Sequence, residues 1–165
     1  MGNILGSWSG MRKYLEKDML ANSLKGRIRY GCTNYYDWDA FYTFEVCIDD
    51  KRAKCFTFES VCNYFDNIEL NDRSKYPFGV WSFLNQCPVT DRTEYTDEEF
   101  CQALELYRNQ DIQKSIASEN PMVRMFAILD RRIGKRTLAR VKETLNEQPL
   151  WLRQFYRLRI EAENV

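Results

Sequence analysis

An α+β fold is predicted for this 165-residue chain, and three observations predict it. Between residues 26 and 58 apolar and polar positions alternate with the period of two that marks half-buried strands. From Thr96 onward the apolar period lengthens to that of helices, punctuated by caps and prolines. An amphipathic segment, residues 8–22, precedes the strands. The expectation is a small antiparallel β-meander with an N-terminal helix, followed by a C-terminal bundle of four to five helices, in one domain over 1–165. Residues 1–65 hold helix plus sheet, 66–95 an aromatic-rich irregular segment, and 96–165 the helical part.

The first helix follows from WSGMRKYLEKDMLAN, which places Trp8, Met11, Leu15 and Met19 on one side, with Ser9 as its cap. GRIRYGCT then puts Ile28, Tyr30 and Cys32 on one face of a strand. AFYTFEVCID does the same with Tyr42, Phe44, Val46 and Ile48, and AKCFTF follows across the polar turn DDKR, which reads as a hairpin. Residues 66–95 mix turn formers with Tyr76, Phe78, Trp81 and Phe83, and predict an aromatic-anchored loop with a short strand or turn at Val80–Leu84. Thr96 and Glu99 form a capping box that opens a helix through Phe100, Ala103, Leu104 and Tyr107. Asp111–Ala117 reads as a short helix. Asn120 and Pro121 supply a cap and first-turn proline for the next helix, and Gly134 suits the left-handed residue that ends it. Thr137–Leu145 and a Pro149-led segment make the last two helices. NPMVRMFAIL and QPLWLRQFYRL echo each other, which reads as two stacked helical hairpins.

Composition narrows function by exclusion. With no histidine in the chain, a Ser-His-Asp or Cys-His nucleophile, an HExxH zinc site and an imidazole general base are all ruled out. Cys32, Cys47, Cys55, Cys62, Cys87 and Cys101 form no CxxC pair, so a thiolate metal box is not indicated and reduced thiols in a cytoplasmic protein are expected. No apolar run reaches membrane-spanning length, and the N-terminal MGNILGSWSG misses the myristoylation pattern by one place. Neither a membrane partner nor a cofactor is expected. Asp37, Asp39, Asp49 and Asp50 lack the ligand spacing of a cation loop, and the last two belong in a hairpin turn, so no metal is assigned.

Charge is zero overall but unevenly spread. Residues 1–57 carry nine Lys or Arg against seven Asp or Glu, residues 58–120 five against twelve, and residues 121–165 ten against five. Two candidate sites follow. Tyr35, Tyr36, Asp37, Trp38 and Asp39, with Asp91, Glu94, Asp97 and Glu98, suit contact with a basic protein surface, where Tyr and Trp serve as anchors. The same aromatics could simply close the sheet. Arg131, Arg132, Lys135, Arg136 and Arg140 could grip phosphate, pair with the acidic residues 91–105, or sit in solvent at a helix end. Lys135 and Arg136 fall at the start of a helix, where positive charge is unfavourable and a partner is implied.

LKGRIRY near the start of the sheet and DRRIGKRTL in the helical half resemble a family of uncharacterised bacterial cytosolic proteins. That resemblance implies no catalytic residues to carry over. In general character the chain is also similar to immunity proteins that neutralise a cognate toxin. A non-enzymatic protein of this immunity type, occluding a toxin such as a nuclease with its acidic middle, is therefore the favoured expectation. RNA or DNA binding through residues 131–140 is the alternative, and an enzyme acting through carboxylates alone ranks third.

Overall fold

The computed structural model describes residues 6–34, 42–67 and 73–165. Helix α1, Trp8–Lys13, runs on into a π-helical turn, Tyr14–Asp18. Ser7, not Ser9, caps it: the Ser7 hydroxyl accepts from the Gly10 amide at 3.1 Å, because the chain enters the helix two residues earlier than the apolar spacing implied. Met11 and Leu15 are buried, and Trp8 packs at 5.2 Å on Phe44.

Strands β1 (Ile28–Asn34), β2 (Tyr42–Ile48) and β3 (Lys51–Phe56) form one antiparallel sheet in that order, the expected meander. The β2–β3 turn is the pair Asp49 and Asp50, both left-handed at φ 49° and 63°, the geometry of a type I′ hairpin that Asp tolerates. Arg27 clasps Asp49 and Arg29 approaches Asp50. The core face carries Ile28, Tyr30, Phe44, Val46 and Phe56. Lys54 pairs with Val46 in the same register that pairs Phe56 with Phe44, and so shares the inner face; a bulge between Val46 and Cys47 follows. Both outer strands have a backbone group covered. The Tyr30 amide donates to Glu16 at 2.7 Å, and the Ala53 carbonyl accepts from Gln154 at 3.0 Å, contacts that help to blunt sheet edges.

The segment after the sheet departs from expectation. Phe58–Asn67 is a helix, α2, and Val80–Gln86 is a helix, α3, where a strand or turn was predicted. Val61 and Phe65 pack with Phe83 in a small satellite core, and only that pairing gives either short helix a buried face. Gly79, at φ 61°, ψ −134°, supplies a turn that a side chain would strain.

The helical half matches prediction in number. Helices α4 (Asp97–Asn109), α5 (Ile112–Ile116), α6 (Pro121–Leu129), α7 (Lys135–Glu143) and α8 (Leu150–Ala162) follow in order. The Thr96–Glu99 capping box is complete in both directions. Asp111 and Asn120 cap α5 and α6. Helix α6 is buried almost all round and packs against α4, α5 and α8, while α7 packs on α8. The sequence echo has a physical basis: Arg124 donates to the Ser118 and Glu119 carbonyls, and Arg153 to those of Asn146 and Gln148. Each arginine ties down the turn preceding its own helix. Phe44 stacks on Phe100 at 4.5 Å, and Phe100 meets Phe126 at 5.3 Å, so sheet and helices share one core.

Gly134 corrects another expectation. Helix α6 stops at Leu129, and Gly134, at φ −88°, ψ 170°, is the extended residue before α7. The stop is made instead by residues 19–21. The Ala21 amide donates to Leu129, and the Arg131 amide to Met19, an isolated antiparallel bridge that takes over the carbonyl at the helix end.

Candidate functional site

Tyr35, Tyr36, Asp37, Trp38 and Asp39 lie outside the described residues. The acidic part of the candidate surface has separate duties. Glu94 pairs with Lys54 at 3.0 Å. Asp97 is buried and accepts from the Tyr42 amide at 3.0 Å. Asp91 is exposed beside the Thr90 hydroxyl. Glu98 is exposed, with one long 3.4 Å contact from Gln102.

Asp97 and Glu98 belong to a cleft of about 270 Å³ whose walls include Phe58, Trp81, Leu84 and Gln102. Trp81 is stacked on Phe58 at 4.9 Å and 27°, yet remains 56% exposed. Phe78, thrust outward by the Gly79 turn, is 79% exposed. A large exposed ring sharing a cleft with carboxylates makes a contact surface of the kind that protein partners use. The sequence reading noted Phe78 and Trp81 but not their role. A helical period over 80–86 would have separated outward Trp81 from inward Phe83.

Arg92 makes the cleft rigid. Its side chain is 1% exposed and bidentate to Glu99, and it also donates to the Cys87 and Glu94 carbonyls. Its guanidinium lies 6.0 Å from the ring centres of Phe83 and Tyr95. The Tyr95 hydroxyl donates to Arg92 O and accepts from Trp151 Nε1. Burial pushes that phenol up to about 12. Lys54 sits over the rings of Tyr95 and Trp151, 5.5 and 5.4 Å away, and donates to Thr93 O at 2.5 Å. Desolvation lowers its pKa against the opposing pull of Glu94. Parity along β3 places Lys54 beside Phe56 on the inner face, a signal the charged residue type obscured.

The basic cluster divides. Arg132 grips buried Asp130 through Nε and Nη2, and Asp130 also accepts from the Arg132 amide and the Tyr107 hydroxyl. Arg140 reaches Gln113 at 3.4 Å. Arg131, Lys135 and Arg136 are exposed and belong to none of the ion pairs within 4 Å among the described residues. The Glu163 carboxyl is held below its ordinary value by a hydrogen bond from Ser23, by Arg159, and by the charge of Lys135. The acidic residues 91–105 form their ion pairs with Arg92 and Lys54, not with the basic cluster.

Among the described residues no group of three or more His, Cys, Asp or Glu is placed to hold a metal ion. Asp49 and Asp50 sit in the hairpin turn, and Asp37 and Asp39 lie outside the described residues. All six cysteines are free thiols; burial raises that of Cys101 to about 12. Among the described residues no helix is long and apolar enough to cross a membrane. Nothing among curated proteins or solved structures matches the chain. A family model does match residues 7–160, a span that includes both LKGRIRY and DRRIGKRTL: the chain belongs to the SF0329 protein family.

Proposed function

We propose that this chain is a non-enzymatic protein-binding protein, most concretely an immunity-type inhibitor that occludes a cognate toxin. The observation that supports this reading is the cleft that exposed Trp81 shares with Glu98 and Asp97. Exposed rings provide anchoring area, and the carboxylates select a basic surface such as the nucleic-acid cleft of a nuclease. Of the buried charges, Lys54, Arg92 and Asp130 form ion pairs that hold the scaffold together, while buried Asp97 accepts from the Tyr42 amide and lines the cleft with Glu98 and Glu99.

The test is to ask whether the reading frame beside this one encodes a toxin domain and to co-express the two. The wild-type chain is expected to protect cells and to co-purify with the toxin in stoichiometric amount. Trp81→Ala combined with Glu98→Lys is expected to lose both. Recovery of the wild-type chain alone at every salt concentration, with no protection, would sink the reading.

A second reading, nucleic-acid binding, is favoured by the exposure of Arg131, Lys135 and Arg136 without ion pairs. It calls for salt-dependent binding in a mobility assay that is lost on Arg131→Glu with Arg136→Glu. Arg132 is left unaltered there because it holds Asp130.

A further inference from the structure

We propose that the cleft between α2, α3 and the start of α4 receives an arginine side chain of the protein partner, a specification that rests on the binding role above. Trp81 offers the ring type that best attracts a cation. Its stacking on Phe58 holds the indole in a cleft that Glu98 also lines. A guanidinium can lie flat on an indole and donate in parallel to a carboxylate, whereas an ammonium is a strongly hydrated point charge.

Size points the same way. The cleft, at about 270 Å³, has room for a single inserted side chain. The protein also contains the same recognition in its interior. Arg92 lies against Phe83 and Tyr95 while donating bidentately to Glu99. Glu98, one residue away on α4, is exposed and lines the cleft with Trp81. Glu99 is thus satisfied from within and buried Asp97 accepts from the Tyr42 amide, so exposed Glu98 is the cleft carboxylate an arginine from outside can reach.

The experiment is an NMR titration of the full chain with acetyl-Gly-Arg-Gly-amide, its citrulline counterpart and its lysine counterpart. The arginine peptide is expected to shift the Trp81 indole and the amides of Glu98 and Glu99. The citrulline peptide is expected to leave them in place, and the lysine peptide to bind several-fold more weakly. Glu98→Gln, a surface change that leaves the fold intact, is expected to weaken arginine binding about threefold to fivefold. Equal shifts from citrulline, shifts confined to other parts of the molecule, or indifference to Glu98→Gln would overturn the inference. If the arginine peptide is ignored while the toxin is still captured through Trp81, the inference falls and the binding role stands. If the peptide binds in the cleft while no toxin is captured, the arginine pocket stands and the immunity role falls.

Discussion

Arg131 and Arg132 are adjacent, chemically identical and both exposed at the backbone turn after α6, yet their removal is expected to have very different consequences. Arg132→Ala takes away the guanidinium bonds to Asp130, including one of 2.6 Å from Nη2. The Asp130 side chain is 0% exposed and would keep only the Arg132 amide and the Tyr107 hydroxyl as donors. Stripping one partner from a buried carboxylate costs about 3–5 kcal/mol when both members are buried. The Arg132 side chain is 39% exposed, so water can replace part of what is lost, and about 2 kcal/mol is the appropriate magnitude. Arg131→Ala removes an exposed side chain outside any ion pair, and its effect should stay within about 0.5 kcal/mol. Urea unfolding at pH 7 separates the two. With a slope of about 2 kcal/mol per molar, Arg132→Ala should lower the midpoint by roughly 1 M and Arg131→Ala by less than about 0.3 M. Equal shifts in the two variants would refute the assignment of Arg132 to the fold and return it to the solvent-facing cluster.

Alkali should unfold the protein cooperatively. Burial raises Tyr95 and Tyr156 from 10.0 to about 12 and pushes Tyr30 and Tyr107 up as well. These phenols stay protonated in the fold while the unfolded chain ionises, so the stability present below pH 10 is lost as pH climbs toward 12. The loss is on the order of 5 kcal/mol for Tyr95 and Tyr156 together. Absorbance at 295 nm should show these four tyrosines ionising only as the circular dichroism signal collapses; smooth titration of all ten in a folded protein would contradict this. Lys54→Met should change stability by less than about 1 kcal/mol, since an apolar chain can fill the space between Tyr95 and Trp151. Glu94→Ala should cost about 2 kcal/mol by leaving the buried ammonium without its carboxylate, and thermal melts that rank the two in the opposite order would count against the pairing.

The sheet and the five C-terminal helices were legible in the sequence because their signals are local. Alternation in 26–58, the Thr96–Glu99 box and the Asn120–Pro121 start each act within one turn or one strand. The parts that sequence reading missed depend on distant partners. Helices α2 and α3 hold together through the satellite core of Val61, Phe65 and Phe83 and the Phe58–Trp81 stack, so neither stretch alone carries a decisive period. Gly134 gave a sound local reason for a helix stop, but residues 19–21 overrode it by pairing with the α6 end.

The basic stretch DRRIGKRTL shows the same division. The sequence by itself determined that four positive charges crowd into a few residues and that Lys135 and Arg136 open a helix against its dipole. Only the tertiary structure decided their fates: Asp130 is buried under Arg132, while Arg131, Lys135 and Arg136 are exposed. It likewise brought Trp81 of α3 and Glu98 of α4 to the walls of one cleft, which is the surface proposed above for a partner. Charge count and residue type are properties of the chain, whereas the burial and distance that determine what a charge can do exist only once remote segments are packed together.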